Sequence, residues 1–216
     1  MFRNRSFTVL EKDFARTIRW AFVSGLVIFL INPSFSQQKT EVLKFETVVL
    51  GLNIGDLNVK KYQVGDTLHY VAESKVGFWF FGRVDLEVFT HSRYVNGYFV
   101  KSESRTKTNR GDFASSIHWD GKKYLVDAKS YKFENDEPVI GLVKWCSTRA
   151  FFEQLPAGER FISEVFGLTT TIETQEPNVL STIISGNENR YFYEKGELQK
   201  VTIEHAVKNF QYKRVP

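Results

Sequence analysis

The chain is 216 residues long, with 29 Lys and Arg against 25 Asp and Glu, 42% apolar residues and one cysteine. A fold stapled by internal disulfides is excluded, because Cys146 has no second thiol to pair with. Removing the five basic and two acidic residues of positions 1–36 leaves 24 and 23, a net charge of +1. The basic excess therefore sits in the first segment, and the rest lacks the positive stripe that displacement of counterions from nucleic acid demands.

Residues 1–36 read as a targeting segment. Arg3, Arg5, Lys12, Arg16 and Arg19 precede a run of 12 mainly apolar residues, Trp20–Ile31. A membrane-spanning helix needs about 20, and Ser34-Phe35-Ser36 offers a small-x-small site. The expected product is a secretory signal cleaved near Ser36-Gln37, which puts the mature protein in the periplasm or outside the cell and limits membrane contact to the signal before cleavage. An uncleaved anchor is the competing reading. No cysteine follows the apolar run to carry a lipid. Residues 37–216 number 180, the size of one β-rich domain.

The next signal is VVLGLNIGDL, Val48–Leu57. Strand-like residues flank Gly51-Leu52-Asn53, which predicts a chain reversal there, and Gly55 just after it predicts a bulge or a close backbone approach. A dinucleotide loop would need G-x-G-x-x-G opening a helix, and this G-x-x-x-G leads into an alternating run instead. Leu68, Tyr70, Ala72 and Ser74 alternate with Thr67, His69, Val71 and Glu73, and Val84, Leu86 and Val88 alternate with Asp85, Glu87 and Phe89. Both read as strands. Turn signals recur at Gly65-Asp66, Asn96-Gly97, Asp120-Gly121, Gly186-Asn187 and Lys195-Gly196-Glu197. The adhesion-like tripeptide Arg110-Gly111-Asp112 is explained by turn chemistry at Asn109–Asp112. Only Pro138–Pro156 loses the period of two, and within it Lys144–Phe152 predicts a short helix, stopped by Pro156 and Gly158. The sum is a mainly β chain: a curved antiparallel sheet or open half-barrel meander with one short covering helix.

Chemical candidates are sparse. His69, His91, His118 and His205 are scattered without the spacing of metal ligands, so neither a metal nor another cofactor is expected. Ser163-Glu164 lacks the G-x-S-x-G elbow of a serine hydrolase. Cys146 reads as a small buried residue. Asp85, Glu87, Glu103 and Glu164 are the carboxylates that a glycosidase would use if they shared a face, although charges on the solvent side of a strand look the same. The aromatic surplus says more. Phe78, Trp79, Phe80 and Phe81 are consecutive and cannot all point to one side of a strand. Together with Trp145, Phe151 and Phe152 they are expected to line an apolar pocket between sheet and helix.

Three stretches carry a resemblance: GLNIGDL at Gly51–Leu57, RAFFEQLPAGERFISEVFG at Arg149–Gly167, and NRYFYEKGELQKVTIEH at Asn189–His205. The chain resembles an uncharacterised family of exported β-rich proteins of Gram-negative bacteria, known as a domain of unknown function. The matching positions are Phe151-Phe152-Glu153, Pro156, Phe161, Ser163, Glu164 and Gly167, then Tyr191, Tyr193 and Gly196; Gln154-Leu155 departs from the pattern. The resemblance covers most of residues 42–212 and implies an open curved sheet but no reaction. The expected function is that of a non-catalytic envelope protein binding a lipophilic molecule or an extended partner along its curved sheet. The alternatives are a hydrolase of envelope glycans or esters and a structural subunit of an envelope complex.

Overall fold

The computed structural model describes residues 39–79, 83–109, 111–204 and 209–216. The expected signal segment, 1–36, lies outside them. Eight strands make the first part of the chain: β1 (Glu41–Val49), β2 (Leu52–Val64), β3 (Thr67–Trp79), β4 (Arg83–Val95), β5 (Tyr98–Thr108), β6 (Gly111–Trp119), β7 (Lys123–Ser130) and β8 (Phe133–Asn135). A connecting segment holds β9 (Val139–Ile140), β10 (Trp145–Cys146), helix α1 (Ser147–Ala150), β11 (Arg160–Ile162) and β12 (Thr169–Thr171). The chain finishes with β13 (Glu173–Glu176), β14 (Val179–Ile184), β15 (Asn187–Glu194), β16 (Glu197–Ile203) and β17 (Phe210–Arg214).

The period of two translates directly into pleat. Tyr70 and Ser74 on β3, and Thr90, Ser92 and Tyr94 on β4, are buried, whereas Glu73, Lys75 and Glu87 between them are exposed. Two-residue turns close the hairpins in the left-handed region that matches strand twist. Asn96-Gly97 has φ of 52° and 79°, and Lys195-Gly196 has 52° and 83°. The first reversal differs from the expectation. It is Leu50-Gly51, with φ of 51° and 83°, and Leu52 already pairs with Val49. Likewise the turn near Gly186 is Ser185-Gly186, and Asn187 opens β15. In both cases the ladder extends to the tightest loop available and draws the predicted turn residue into the strand.

Gly55 fulfils both of its roles. Val48 pairs with Asn53 but Thr47 with Gly55, so Ile54 is the extra residue of a bulge. A Cβ at Gly55 would stand 2.1 Å from the Lys75 carbonyl oxygen on the neighbouring strand.

The main sheet runs antiparallel in the order β13-β14-β15-β16-β17-β1-β2-β3-β4-β5-β6-β7-β8, with β9 also on β7, and β13 does not pair with β8. Its concave side is filled by the segment between β9 and β13. Phe151, Leu155, Phe161 and Ile172 of that segment join Phe45, Leu57, Tyr191 and Val201 in one core. Val143, Cys146 and Ile162 join Tyr70, Tyr94, Ile117 and Tyr124 in a second. Phe152 packs against both. One covering segment thus touches strands from β1 to β7 and from β14 to β17, which requires the sheet to curl around it.

The covering helix is shorter than expected, Ser147–Ala150, because Trp145-Cys146 pairs in parallel with Phe161-Ile162 as a strand. Phe152 and Glu153 nevertheless donate their N–H groups to the Arg149 carbonyl and continue the turn.

Candidate functional site

Antiparallel alternation puts the hairpin turns at two ends of the sheet. Gly65-Asp66, Asn96-Gly97, Asp120–Lys122 and Lys195-Gly196 lie at one; Leu50-Gly51, Asn109, Tyr131-Lys132 and Ser185-Gly186 lie at the other, where β3 ends and β4 begins. The covering segment is clamped near the first end. Exposed apolar groups stand at both: Val64 and Ile140 near the first, Leu50 and Leu52 at the second, where Leu50 also has a left-handed backbone.

At the clamped end, Cys146 occupies the N-cap of α1 and its side chain makes no capping bond. A helix start needs acceptors for its free N–H groups, and the Glu164 carboxylate, only 1% exposed, supplies them. Its Oε2 accepts from Ser147 N at 3.0 Å and Ser147 Oγ at 2.6 Å; its Oε1 accepts from Thr148 N and Thr148 Oγ1, both at 2.9 Å, and from Ser92 Oγ at 3.2 Å. Tyr94 donates its hydroxyl to Cys146 Sγ at 2.9 Å. Burial, with the Glu164 charge second, pushes the Cys146 thiol well above its ordinary range, so it is an inert packing group.

Towards the rim a second carboxylate is held from outside the core. Glu153 accepts from Tyr70 Oη at 2.5 Å, from Arg149 Nη2 at 2.6 Å and Nε at 2.9 Å, and from Lys61 Nζ at 3.2 Å. Burial alone would raise its pKa, yet the bonds from Tyr70 and Arg149 hold it below the usual value. Arg149 also donates to the carbonyls of Lys144 and Gly97, and its guanidinium lies over Trp145 at 4.3 Å. These bonds fasten the covering segment to β2, β3 and the β4–β5 turn.

Three of the aromatic candidates lie among the described side chains. Phe151 packs edge-on against Phe45 at 5.0 Å, Phe152 lies 5.7 Å from Tyr70, and Trp145 sits under Arg149. The structure brings these three together in the covering segment. Phe78 and Trp79 end β3, eight residues beyond Tyr70, which is about 26 Å along a strand. Their side chains, and Phe80 and Phe81, lie outside the described residues. The carboxylates do not converge either. Glu164 is inside, while Asp85 is paired with Arg83, Glu87 with Lys75, and Glu103 with Lys101 and Arg93 on the outer face.

A contact that the sequence reading missed joins two of the histidines. His69 Nδ1 and His91 Nε2 are 2.8 Å apart on the outer face, and His69 stacks on Tyr62 at 4.8 Å. Arg93 Nη2 makes a long contact of 3.5 Å to His91 Nδ1. Because Arg only donates, that nitrogen is the acceptor, so His91 carries its proton on Nε2 and donates to His69. Burial and then Arg93 lower both pKa values, that of His91 to about 4. The β3–β4 register sets His69 opposite Arg93 and diagonal to His91, and a pairing of the two alternating runs in the sequence would have found the pair. Among the described residues no group of three or more His, Cys, Asp or Glu gathers as a metal site, and no helix is long and apolar enough to cross a membrane.

A large antiparallel sheet curled around its own covering segment, whose edge strands β13 and β8 do not pair with each other, defines an open, barrel-like β protein. The chain belongs to the family described as domain of unknown function DUF6134, whose model matches residues 45–215. Among solved structures it is similar to the beta-barrel-like protein of domain of unknown function DUF1849 from Brucella abortus, at 10% identity and a TM-score of 0.48, over 82% of this chain and 95% of that one. No curated protein matches the chain at significant similarity.

Proposed function

We propose that this protein is a non-catalytic, exported binding protein of the bacterial cell envelope, and that it engages a lipophilic molecule at the turn-bearing end opposite the clamp. The observation that carries this reading is Leu50. It is 76% exposed and sits in the left-handed region at φ 51°, where a side chain costs about 1–2 kcal/mol and Asn or Gly is the ordinary choice. Leu52 beside it is 69% exposed. β3 ends at Trp79 and β4 begins at Arg83 at the same end of the sheet. Apolar groups held against both water and backbone preference suit a rim that receives an apolar ligand.

The test is titration with a dansyl-labelled fatty acid. Saturable binding to the wild-type protein, lost in the double variant Leu50→Asn/Leu52→Ser with no fall in melting temperature, is the expected result. Absence of binding by the wild type, or equal binding by the variant, overturns the reading.

A further inference from the structure

The outermost edges of the sheet are blunted. β13 is four residues long, exposed throughout, acidic at both ends and interrupted by a register shift. β8 is three residues long and is followed by Pro138. Such devices prevent a sheet from pairing with other chains. A third edge inside the sheet is as short and carries one acidic residue, Asp112, but has neither a register shift nor a proline. β6 pairs with β5 along its length, from Thr108↔Gly111 to Lys101↔His118, but with β7 only from Ser115↔Ala128 to Trp119↔Tyr124. Beyond that point β7 pairs only with β8. The two strands fork, and Gly111–Ala114 has a neighbour on one side alone.

The fork is a cleft of about 670 Å³ lined by Asp112, Phe113, Ala114, Asp127, Phe133 and Glu134, among others. That volume is in the range of binding sites for small ligands. Its two faces differ in chemistry. Ser115, Ile117 and Ala128 are buried on the concave side, so alternation puts Phe113 and Phe133 on that side and Asp112, Asp127 and Glu134 on the outer side. Phe133 rests edge-on against Phe166 of the covering segment at 5.0 Å. On the outer side Lys129 is paired with Asp127 at 3.7 Å, while the Tyr131 ring packs edge-on against Phe113 at 6.3 Å, with Lys132 5.3 Å from that ring. The lining carries three carboxylates against two lysines, so a net negative charge faces the opening.

We propose that this fork is a docking slot for an extended peptide segment of a partner protein, added as a strand beside Gly111–Ala114. Alternate residues of an unpaired strand turn N–H and C=O groups toward the missing neighbour, and an extended peptide is the ligand whose backbone answers them. The pleat of the added strand then dictates its sequence: apolar residues facing Phe113 and Phe133 alternate with basic residues facing Asp112 and Glu134. The slot is separate from the Leu50 rim, and this proposal stands independently of the lipophilic reading.

The test uses the full chain and a short acetylated, amidated peptide alternating valine and lysine. Calorimetric titration is expected to give saturable binding, weakened about tenfold or more when glutamate replaces the lysines, or when the alternate amides facing β6 are N-methylated. Asp112→Lys changes an exposed side chain and is expected to reverse the preference between the lysine and glutamate peptides. Amide exchange should slow within Gly111–Ala114 on binding. No saturable binding, or binding indifferent to N-methylation, overturns the proposal. Concentration-dependent self-association that protects the same amides without peptide also overturns it, by assigning the slot to a second copy.

Discussion

Both ends of the sheet expose apolar residues, Val64 and Ile140 at one and Leu50 and Leu52 at the other, but they differ in what they strain and what they bury. At the clamped end a carboxylate is buried and every contact it makes is a hydrogen bond to the start of α1 or to β4; at the opposite end leucines are left in water on a strained turn. A buried charge is retained only where its partners are complete, since desolvation otherwise outweighs attraction. An exposed leucine costs little by exposure alone, so its left-handed backbone is the part that calls for a function. The first end fixes the fold, and the second is where the lipophilic ligand is proposed to bind.

The largest effect that would break this contrast belongs to Glu164. Glu164→Leu strands the Ser147 and Thr148 donors in the core and should lower stability by about 3–5 kcal/mol in urea titration. A loss under 1 kcal/mol would mean that the clamp does not hold the covering segment. Gly55→Ala comes next, because its Cβ would collide with the Lys75 carbonyl at 2.1 Å, and backbone cannot swing aside as a side chain does. A cost of about 1–3 kcal/mol is expected from such overpacking, whereas a neutral result would show that β2 and β3 can separate locally. The third change reverses sign. Leu50→Asn at the opposite end should stabilise the protein by about 0.5–1 kcal/mol, raising the thermal midpoint, because Asn tolerates positive φ.

A pH-dependent effect sharpens the contrast on the outer face. His91 has a folded pKa of about 4 against an ordinary 6.5, owing to burial first and then to Arg93 and His69, with Lys101 acting the same way and Glu103 opposing. Between those values the unfolded chain binds a proton that the folded chain does not. The contribution is therefore complete above pH 6.5 and is lost as pH falls towards 4. His91→Gln should flatten that part of the stability–pH profile, and an unchanged slope would show that the pair does not titrate with folding.

Local grammar was legible where it depends on neighbours in sequence. The alternation in β3 and β4, the Asn96-Gly97 and Lys195-Gly196 turns and the bulge at Gly55 follow from side-chain period and glycine's freedom at positive φ. The clamp was not legible. Glu164 lies 16 residues from Thr148 and 72 from Ser92, and nothing in the Ser163-Glu164 dipeptide marks it as the acceptor that Cys146 fails to be for α1.

By itself, then, the sequence determined the strands, most of their turns, the loss of period in Pro138–Pro156 and the family to which the chain belongs. These are short-range properties, set by which residues tolerate a pleat or a left-handed turn. The tertiary structure alone decided that the covering segment joins two cores, that Phe152 lies against Tyr70, eight residues along β3 from Phe78, and that β6 and β7 part beyond Ser115. Each of those depends on ladder register and on how far a twisted sheet curls, and both are fixed by packing between residues distant in the chain.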